Sequence, residues 1–300
     1  MSEPVNHHYV SRCQSNRFFN FSENKIYVLN KTDLSIRPKQ STKTLFSEDD
    51  SNTRTNDDLS TNRRFLEADL KNVFEDRYDH HLSVVQKLVN NPSQPPKNFR
   101  DSLIALVKFG SIGEIRHPLY KKGTDDMIAE PLFNQILPYA APELKAPLLE
   151  LKDRLSRTKY SNSIQYSQHA DQLFHLMGDV TCLIYSIECN KYFLLPDISA
   201  IRARAKINTY FNPDITEIAM IGMPLTSKLF MHSQSIKLGT ILDGIMPINE
   251  EEFPGEVERI NYGLFDNAYR EVVCEDHEYL RRFRDHLDKI RDRAMTQKSS

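Results

Sequence analysis

Two adjacent histidines, His7 and His8, and a tyrosine, Tyr9, precede every segment of the chain that could form a core. Imidazole is the side chain whose charge changes most easily near neutral pH, so a histidine pair can supply a general base or a metal ligand. The same residues are also compatible with a strand that carries polar rings, or with a solvated tail. The opening residues therefore indicate a possible site and leave three interpretations open.

A second group of polar side chains lies on the helix predicted for residues 63–91, where apolar residues recur at helical spacing. At about 100° per residue, Arg77 and His81 fall inside the apolar stripe and Glu67 falls at its edge. A charged residue on a buried face needs a partner or a purpose. From the helix alone we favour the simpler interpretation: Glu67 pairs with Lys71, the Arg77 stem lies along the surface, and His81 is an ordinary core ring.

The familiar catalytic and nucleotide-binding motifs are absent from the sequence. It contains no GxGxxG, GxxxxGK[ST], HExxH, GxSxG or EF-hand pattern, which excludes the commonest nucleotide-binding and zinc-protease classes. The triplet at residues 79–81, Asp-His-His, resembles a phosphoesterase metal triplet, but three consecutive helical residues point in three directions. His169 and His175 are six residues apart and do not share a helix face, which disfavours a two-histidine metal site.

Composition and charge predict a soluble intracellular protein. The chain has 300 residues, is 39% hydrophobic and 27% charged, and carries a net charge of −2, so composition implies no general attraction to nucleic acid or to an anionic membrane. Its longest apolar runs are too short to span a bilayer, and the N-terminus has no secretory signal. The four cysteines show no CxxC spacing, which favours a reducing, cytoplasmic location.

The pattern along the chain predicts an α+β protein that forms one domain over residues 1–300. Residues 26–37 have the pattern of a strand hairpin. Residues 41–62, which are dominated by Ser, Thr, Asn and Asp, are predicted to be a polar loop or a mobile linker. The helical middle of the protein then comprises four helical patterns, at residues 63–91, 98–112, 125–160 (in pieces) and 163–177.

The pattern changes at Gly178. Four segments rich in Ile, Leu, Val, Tyr and Phe predict the strands of a C-terminal antiparallel or mixed sheet, at residues 179–188, 191–196, 215–225 and 228–233. Residues 257–273 and 277–294 are predicted to be helices that close this sheet. The basic residues of the last helix are interleaved with aspartates, which is typical of a surface helix with internal ion pairs rather than of a nucleic-acid footprint.

Several short motifs, taken in order, resemble a bacterial domain-of-unknown-function family, four-two-three-eight in the usual numbering, whose members typically open with His-Tyr-Val-Pro. Here residues 8–11 read HYVS, and FLEADLKNVFED resembles the acidic helix of the family, with Glu67 and Glu75 at its two glutamate positions. The stretch EIRHP resembles its Arg-Thr-Pro step and places Arg116 there. KYFLLPDIS resembles its apolar strand running into Ser-Asp-Asn-Pro, with Asp197 on the aspartate.

The chain departs from that family pattern at three places. Ser11 stands where the opening motif has proline, residues 196–199 read PDIS, and the tryptophan that usually precedes this strand is missing. The resemblance, which extends over about residues 6–275, therefore implies a divergent member. Some members of the family occur in bacterial anti-phage defence loci, which implies an effector that harms an infected cell.

The residues at these motif positions are compatible with a site, and His8, Glu67, Arg116 and Asp197 are the predicted catalytic residues. Residues from such distant segments could equally be unrelated surface and capping residues. Histidine nitrogen and carboxylate oxygen can hold Mg²⁺ or Mn²⁺, so His8, Glu67 and Asp197 are the predicted ligands of a divalent metal. Arg116 would steady a developing phosphoryl charge. The chemistry of these residue types would suit metal-assisted phosphodiester hydrolysis, whereas the activity of the family is not settled. His7 is predicted to be an incidental neighbour of His8.

Two hypotheses of function follow. The first is a cytoplasmic anti-phage effector that acts as a metal-dependent nuclease, with nucleic acid as its partner. The second is a non-catalytic sensor or binding module that recognises a phage or host protein through the helical middle. Neither hypothesis involves a membrane. The nuclease requires the four predicted residues to face one cleft, whereas the binding module does not.

Overall fold

The structure, a computed structural model, describes residues 6–56, 58, 60–162, 164–206, 216–239, 243–249 and 251–298. The predicted α+β class, with a helical middle between an N-terminal hairpin and a C-terminal sheet, is confirmed. The strands are β1 (Asn6–His8), β2 (Ile26–Asn30), β3 (Ile36–Lys39), β4 (Ser47–Asp49), β5 (Arg54–Thr55), β6 (Thr61–Asn62), β7 (Val180–Ile187), β8 (Leu195–Pro196), β9 (Ile201–Lys206), β10 (Thr216–Thr226), β11 (Leu229–Ser235), β12 (Gly244–Ile248) and β13 (Glu271–Cys274). The α-helices are α1 (Arg12–Ser15), α2 (Phe65–Leu70), α3 (Asp76–Asn90), α4 (Phe99–Ser111), α5 (Pro118–Glu130), α6 (Pro142–Ser156), α7 (Tyr166–Met177), α8 (Glu256–Asn267) and α9 (His277–Lys298).

The larger sheet has the strand order β12-β7-β11-β10-β9. Neighbouring strands are antiparallel, except that β12 runs parallel to β7. One face of this sheet packs against α2, α3, α4 and α7, and together they form the largest apolar core of the described residues. The predicted apolar stripe of residues 63–91 lies in this core, because a helix with a period of 3.6 residues turns one face toward the sheet.

The second sheet has the order β3-β2-β13-β8, is antiparallel throughout, and contains the predicted hairpin as β2 and β3. Helices α8 and α9 cover it. The prediction of one helix over residues 257–273 is wrong in its last part, since α8 ends at Asn267 and β13 follows. All four β13 residues are buried and pair with β2, with β8 alongside. This placement in the sheet outweighs the local helical pattern.

Residues 41–62, predicted to be a polar loop or a mobile linker, contain the short strands β4, β5 and β6. Strand β4 pairs with β1 in antiparallel register, and Ser51, Asn52 and Thr53 are buried, with exposures of 1%, 1% and 4%. Polar side chains are buried when other elements supply their hydrogen-bond partners. The segment therefore brings polar groups into the interior, beside the N-terminal strand.

Residues Lys71–Glu75 form a π-helical turn between α2 and α3. Such a turn adds one residue to the helix and rotates everything after it by about 100°. In an uninterrupted α-helix Glu67 and Glu75 would lie about 80° apart around the axis, whereas the added residue reduces this angle to about 20°. The π turn therefore places both glutamates on the face toward the N-terminal strand, and both act on the charge of His8.

The segment that carries Arg116 approaches the residues before β9 closely. A side-chain carbon added at Gly113 would lie 2.3 Å from the carbonyl oxygen of Ile198. Only glycine allows two backbones to come this near. The contact fixes the short 3₁₀ turn Glu114–Arg116 beside Asp197.

Candidate functional site

Asn52 is the centre of a buried polar network that joins four separate parts of the chain. Its backbone N–H donates to His7 Nδ1 at 2.9 Å, and its side-chain amide donates to Glu67 Oε1. Its Oδ1 accepts from Lys121 Nζ at 2.6 Å and from the Tyr166 hydroxyl at 2.7 Å. Because an amide has both a donor and an acceptor end, Asn52 holds a carboxylate on one side and an amine with a phenol on the other.

The backbone around Asn52 is held from two further directions. The side-chain amide of Asn162 donates to the carbonyl oxygens of Ser51 and Thr53, and Lys121 Nζ donates to Ser51 O at 2.7 Å. A cavity of about 40 Å³ lies beside Lys121, Asn162 and Tyr166. It has room for at least one water molecule, so the network borders a small polar space.

Lys121 has an unusual charge state within this network. The pKa of its amine is lowered to about 7, mainly by burial and also by the charge of Arg116, while the charge of Glu67 acts against both. Two carbonyl-type oxygens accept from the amine, but no carboxylate pairs with it directly. Near neutral pH the amine therefore exists in both its charged and its neutral form.

Replacing Lys121 with methionine is expected to flatten the pH dependence of stability between pH 7 and about 8.5. Above pH 7 the folded state has lost a proton that the unfolded state keeps, because the ordinary lysine pKa is 10.5. The unfolded state therefore binds more protons, and the free energy of unfolding rises with pH by up to about 1.4 kcal/mol per unit. Below pH 7 both states are protonated and the slope vanishes. Urea unfolding at several pH values measures the difference between Lys121→Met and wild type.

The matched control is Lys122→Met, which removes an exposed lysine next along the chain. This variant should keep the wild-type slope. Equal slopes for wild type and Lys121→Met would contradict the lowered pKa of Lys121.

Arg116 is completely buried behind the network. One guanidinium nitrogen, Nη2, donates to the carbonyl oxygen of His8 at 2.9 Å. Its Nε and Nη1 have no hydrogen-bond partner within the described residues and no contact with solvent. A buried cation with two unsatisfied nitrogens is costly. The incompletely paired arginine under the backbone of His8 is therefore a candidate functional residue.

His8 and Glu67 are the half-exposed members of the group. Burial lowers the pKa of His8, while Glu67 and Glu75 counteract this shift. Burial raises the pKa of Glu67, and the contacts with Asn52 and Arg116 counteract it. His8 Nε2 lies 3.0 Å from Lys43 O. Because a carbonyl oxygen can only accept, Nε2 carries the proton and Nδ1 is left as the acceptor of a neutral ring.

Asp197 lies outside this group and has a different environment. Its Oδ1 accepts from the backbone N–H of Tyr269 at 2.9 Å, and its Oδ2 accepts from Arg270 N at 2.7 Å and Glu271 N at 3.2 Å. His117 Nε2 lies 3.4 Å from Oδ2, without an aligned hydrogen bond. Both carboxylate oxygens are therefore already used to hold the start of β13.

The structure thus brings together three of the four predicted site residues: His8, Glu67 and Arg116. Among the described residues, no three His, Cys, Asp or Glu side chains are arranged to hold a metal ion. The predicted metal set of His8, Glu67 and Asp197 is accordingly not assembled as one centre. Asp197 is joined to the group only indirectly, through the neighbouring residues Arg116 and His117.

Aromatic rings connect the two regions. The His117 ring meets Tyr9 edge to face at a centroid distance of 4.8 Å and stacks on Tyr269 at 4.5 Å. Leu119 N donates to His117 Nδ1, so Nε2 carries the proton of the neutral ring and faces Asp197. The tyrosine of the opening motif therefore packs against the residue that follows Arg116.

Several roles differ from those that the sequence predicts. His7 is not incidental, because it is more buried than His8 and its ring accepts from Asn52. Glu67 bonds to Asn52 rather than to Lys71. His81 contacts Ser102 at 3.1 Å, in keeping with an ordinary ring at the core boundary.

Sequence reasoning missed Asn52, Lys121 and Tyr166. An asparagine in a polar run looks like a loop residue, and nothing local marks its burial. The one sequence feature that could have indicated the network is Lys121, which lies three residues after the proline that begins α5. The start of the helix at Pro118 turns this lysine inward, toward Asn52.

A more voluminous cavity lies elsewhere on the described surface. It has a volume of about 1050 Å³, and its lining does not include His8, Glu67 or Arg116. Cys13 borders this cavity. Burial raises the pKa of the Cys13 thiol, and the charge of Glu75 raises this pKa further. We place more weight on the hydrogen-bonded network than on cavity size, because the network is built from converging polar groups.

Fold and network together define a mixed α+β protein in which an N-terminal strand, a helical glutamate and a buried arginine meet at one polar site. The chain belongs to the family described as protein of unknown function (DUF4238), whose model matches residues 6–278. This match confirms the family resemblance of the sequence motifs. No similar curated protein and no similar solved structure was found.

Proposed function

We propose that this chain is a cytoplasmic effector of bacterial anti-phage defence that hydrolyses phosphodiester bonds by acid–base catalysis at His8 and Glu67. The observation that carries the proposal is the convergence of a neutral imidazole and a carboxyl of raised pKa above a buried arginine. Groups whose pKa values are shifted by burial and by each other are typical of catalytic sites. The defence context rests on the family resemblance.

In the proposed reaction His8 acts as the general base and Glu67 acts as the general acid. His8 Nδ1 takes a proton from water as the water oxygen forms a bond to phosphorus. Glu67, in its protonated form, gives its proton to the leaving oxygen as the other phosphorus–oxygen bond breaks. Each step transfers one proton, and the two products are a phosphomonoester and an alcohol. General acid–base catalysis of this kind contributes about 10²- to 10⁴-fold.

Arg116 acts in this proposal as a positioning residue. It is closed from solvent, so it holds the His8 backbone through the carbonyl oxygen rather than touching substrate. The residues present do not fit a resident divalent metal, because Lys43 O contacts His8 Nε2 and Asn52 donates to Glu67 Oε1. One ring nitrogen and one carboxylate oxygen remain, fewer than Mg²⁺ or Mn²⁺ usually needs from protein and substrate together. We derive no step through a metal.

His8→Ala and Glu67→Gln are each expected to lower phosphodiesterase activity by about 100-fold or more. Hydrolysis of bis(p-nitrophenyl) phosphate and of labelled RNA and DNA oligonucleotides measures this effect, with EDTA, Mg²⁺ and Mn²⁺ as separate conditions. The pH profile should be bell-shaped with its optimum on the acidic side of neutral, because His8 must be neutral and Glu67 protonated. Glu67→Gln should remove the alkaline limb of that profile.

His80→Ala and Glu143→Gln serve as matched controls, since both residues are exposed, and neither should change activity. Three results would contradict the proposal: no cleavage by wild type under any condition, full activity in both site variants, or loss of activity in EDTA. In cells, toxicity that both site variants retain would separate a harmful effector from this site assignment.

A second candidate function, a binding module that acts through the helical middle, is favoured by a different observation. Helix α6 buries none of its residues, and no helix in the described ranges is long and apolar enough to cross a bilayer. Between residues 127 and 151 six large apolar side chains are at least 37% exposed: Met127, Ile136, Tyr139, Leu144, Leu149 and Leu151. An apolar surface of this kind is typical of protein interaction sites.

A further inference from the structure

A cavity of about 360 Å³ lies between α8, α9 and the turn after β7. Cys189, Asn190 and Lys191 border it on one side, and side chains of the two helices form the rest. None of its lining residues belongs to the Asn52 network or to the cavity of about 1050 Å³. The volume lies in the range that small-molecule sites usually have.

Four aromatic rings contribute to the walls of this cavity. Tyr262 lies 5.2 Å from Phe283 and 5.7 Å from His286 between ring centroids, and Tyr279 lines the same space. The Asn261 amide donates to the Tyr279 hydroxyl and fixes that ring. Tyr279 and Phe283 are each only 4% exposed and support the partly exposed ring of Tyr262. That ring offers a stacking surface to a flat ring, and every nucleobase has such a face.

The charge at the cavity is positive. Lys191 and Glu258 form an ion pair at 2.8 Å and neutralise each other. Arg282 has no hydrogen bond or ion pair in the part of the chain that the structure describes, although it lines the cavity. Its neighbour Arg281 is paired with Glu278 at 2.8 Å. One guanidinium without an ion pair within the described residues therefore remains at the cavity.

We propose that this cavity binds a mononucleotide, with the base on the ring of Tyr262 and the phosphate on Arg282. A guanidinium recognises phosphate through two parallel N–H donors. The side-chain amide of Asn190, which also lines the cavity, has the donor and acceptor that a base edge requires. A neutral aromatic ligand would leave Arg282 unmatched, and inorganic phosphate would leave the aromatic walls unused.

Calorimetric titration of the full chain with the four ribonucleoside 5′-monophosphates at low salt tests this proposal. Wild type should bind at least one of them, and Arg282→Gln should weaken that binding about tenfold or more, because a charge-assisted contact is lost. Tyr262→Leu should weaken it by a similar factor through lost stacking. Saturation transfer from protein to the base protons should appear with wild type.

Arg281→Gln is the matched control, since it removes a neighbouring arginine that is already paired, and it should bind like wild type. Arg282 is exposed, so its replacement leaves the core untouched, and circular dichroism verifies the fold of each variant. No binding by wild type, equal binding of adenosine or of inorganic phosphate, or equal losses in both arginine variants would each overturn the proposal. The phosphodiesterase assay of His8 and Glu67 variants is independent of these outcomes.

Discussion

Asp197→Ala is expected to lower the free energy of unfolding by about 3–5 kcal/mol. The carboxylate accepts from three consecutive backbone N–H groups at 2.7–3.2 Å, and its side chain is fully buried. Without it, the N–H groups of Tyr269, Arg270 and Glu271 lose their acceptor where water cannot replace it. Because β13 begins at Glu271 and lies inside the second sheet, the loss affects the whole sheet.

Urea unfolding followed by circular dichroism measures this change. Asp197→Asn preserves shape but removes one charge and turns one acceptor into a donor facing an N–H group, so it should lie between wild type and Asp197→Ala. Asp266→Ala, at an exposed site in α8, is the control and should unfold like wild type. If Asp197→Ala kept full stability and lost only activity, the structural role of Asp197 would be refuted and its catalytic prediction restored.

Asn52→Ala is expected to lower the free energy of unfolding by about 3 kcal/mol. The change removes three buried side-chain hydrogen bonds, to Glu67, Lys121 and Tyr166. Each partner left unsatisfied in the interior costs about 1–3 kcal/mol, partly offset where water enters the adjoining cavity. The same unfolding experiment measures the effect.

Asn56→Ala is the matched control, because it is an asparagine of the same segment whose amide donates to the exposed Ser60. Its effect should stay within about 0.5 kcal/mol. Equal, small effects of both variants would show that residues 41–62 behave as the loop that their composition predicts. A large effect of Asn52→Ala alone supports the network as the centre of the N-terminal region.

The helices and strands that could be predicted are those whose pattern is local and long. Helices α3 and α7 and strands β7, β10 and β11 each repeat an apolar period over several residues, and the period depends only on which face meets the core. Strand β13 has four residues, too few for a period to be recognised, and it follows a helix with the same apolar character. Its state depends on the pairing with β2, which is more than two hundred residues away in the chain.

The sequence by itself determined the residue types that make a site possible and, through the family motifs, three that do meet: His8, Glu67 and Arg116. These properties depend on residue identity and on spacing within one element, which the order of residues contains directly.

Only the tertiary structure decided the partners. Asn52 meets His7 from 45 residues away and Tyr166 from 114 residues away, and Asp197 meets the start of β13 across 72 residues. A carboxylate, an amide or an amine has the same identity at a surface and in an interior, but burial decides whether it titrates, catalyses or supports the backbone. Burial depends on which distant segments pack together, and for this reason Asn52 and Asp197 acquired their roles only when the chain folded.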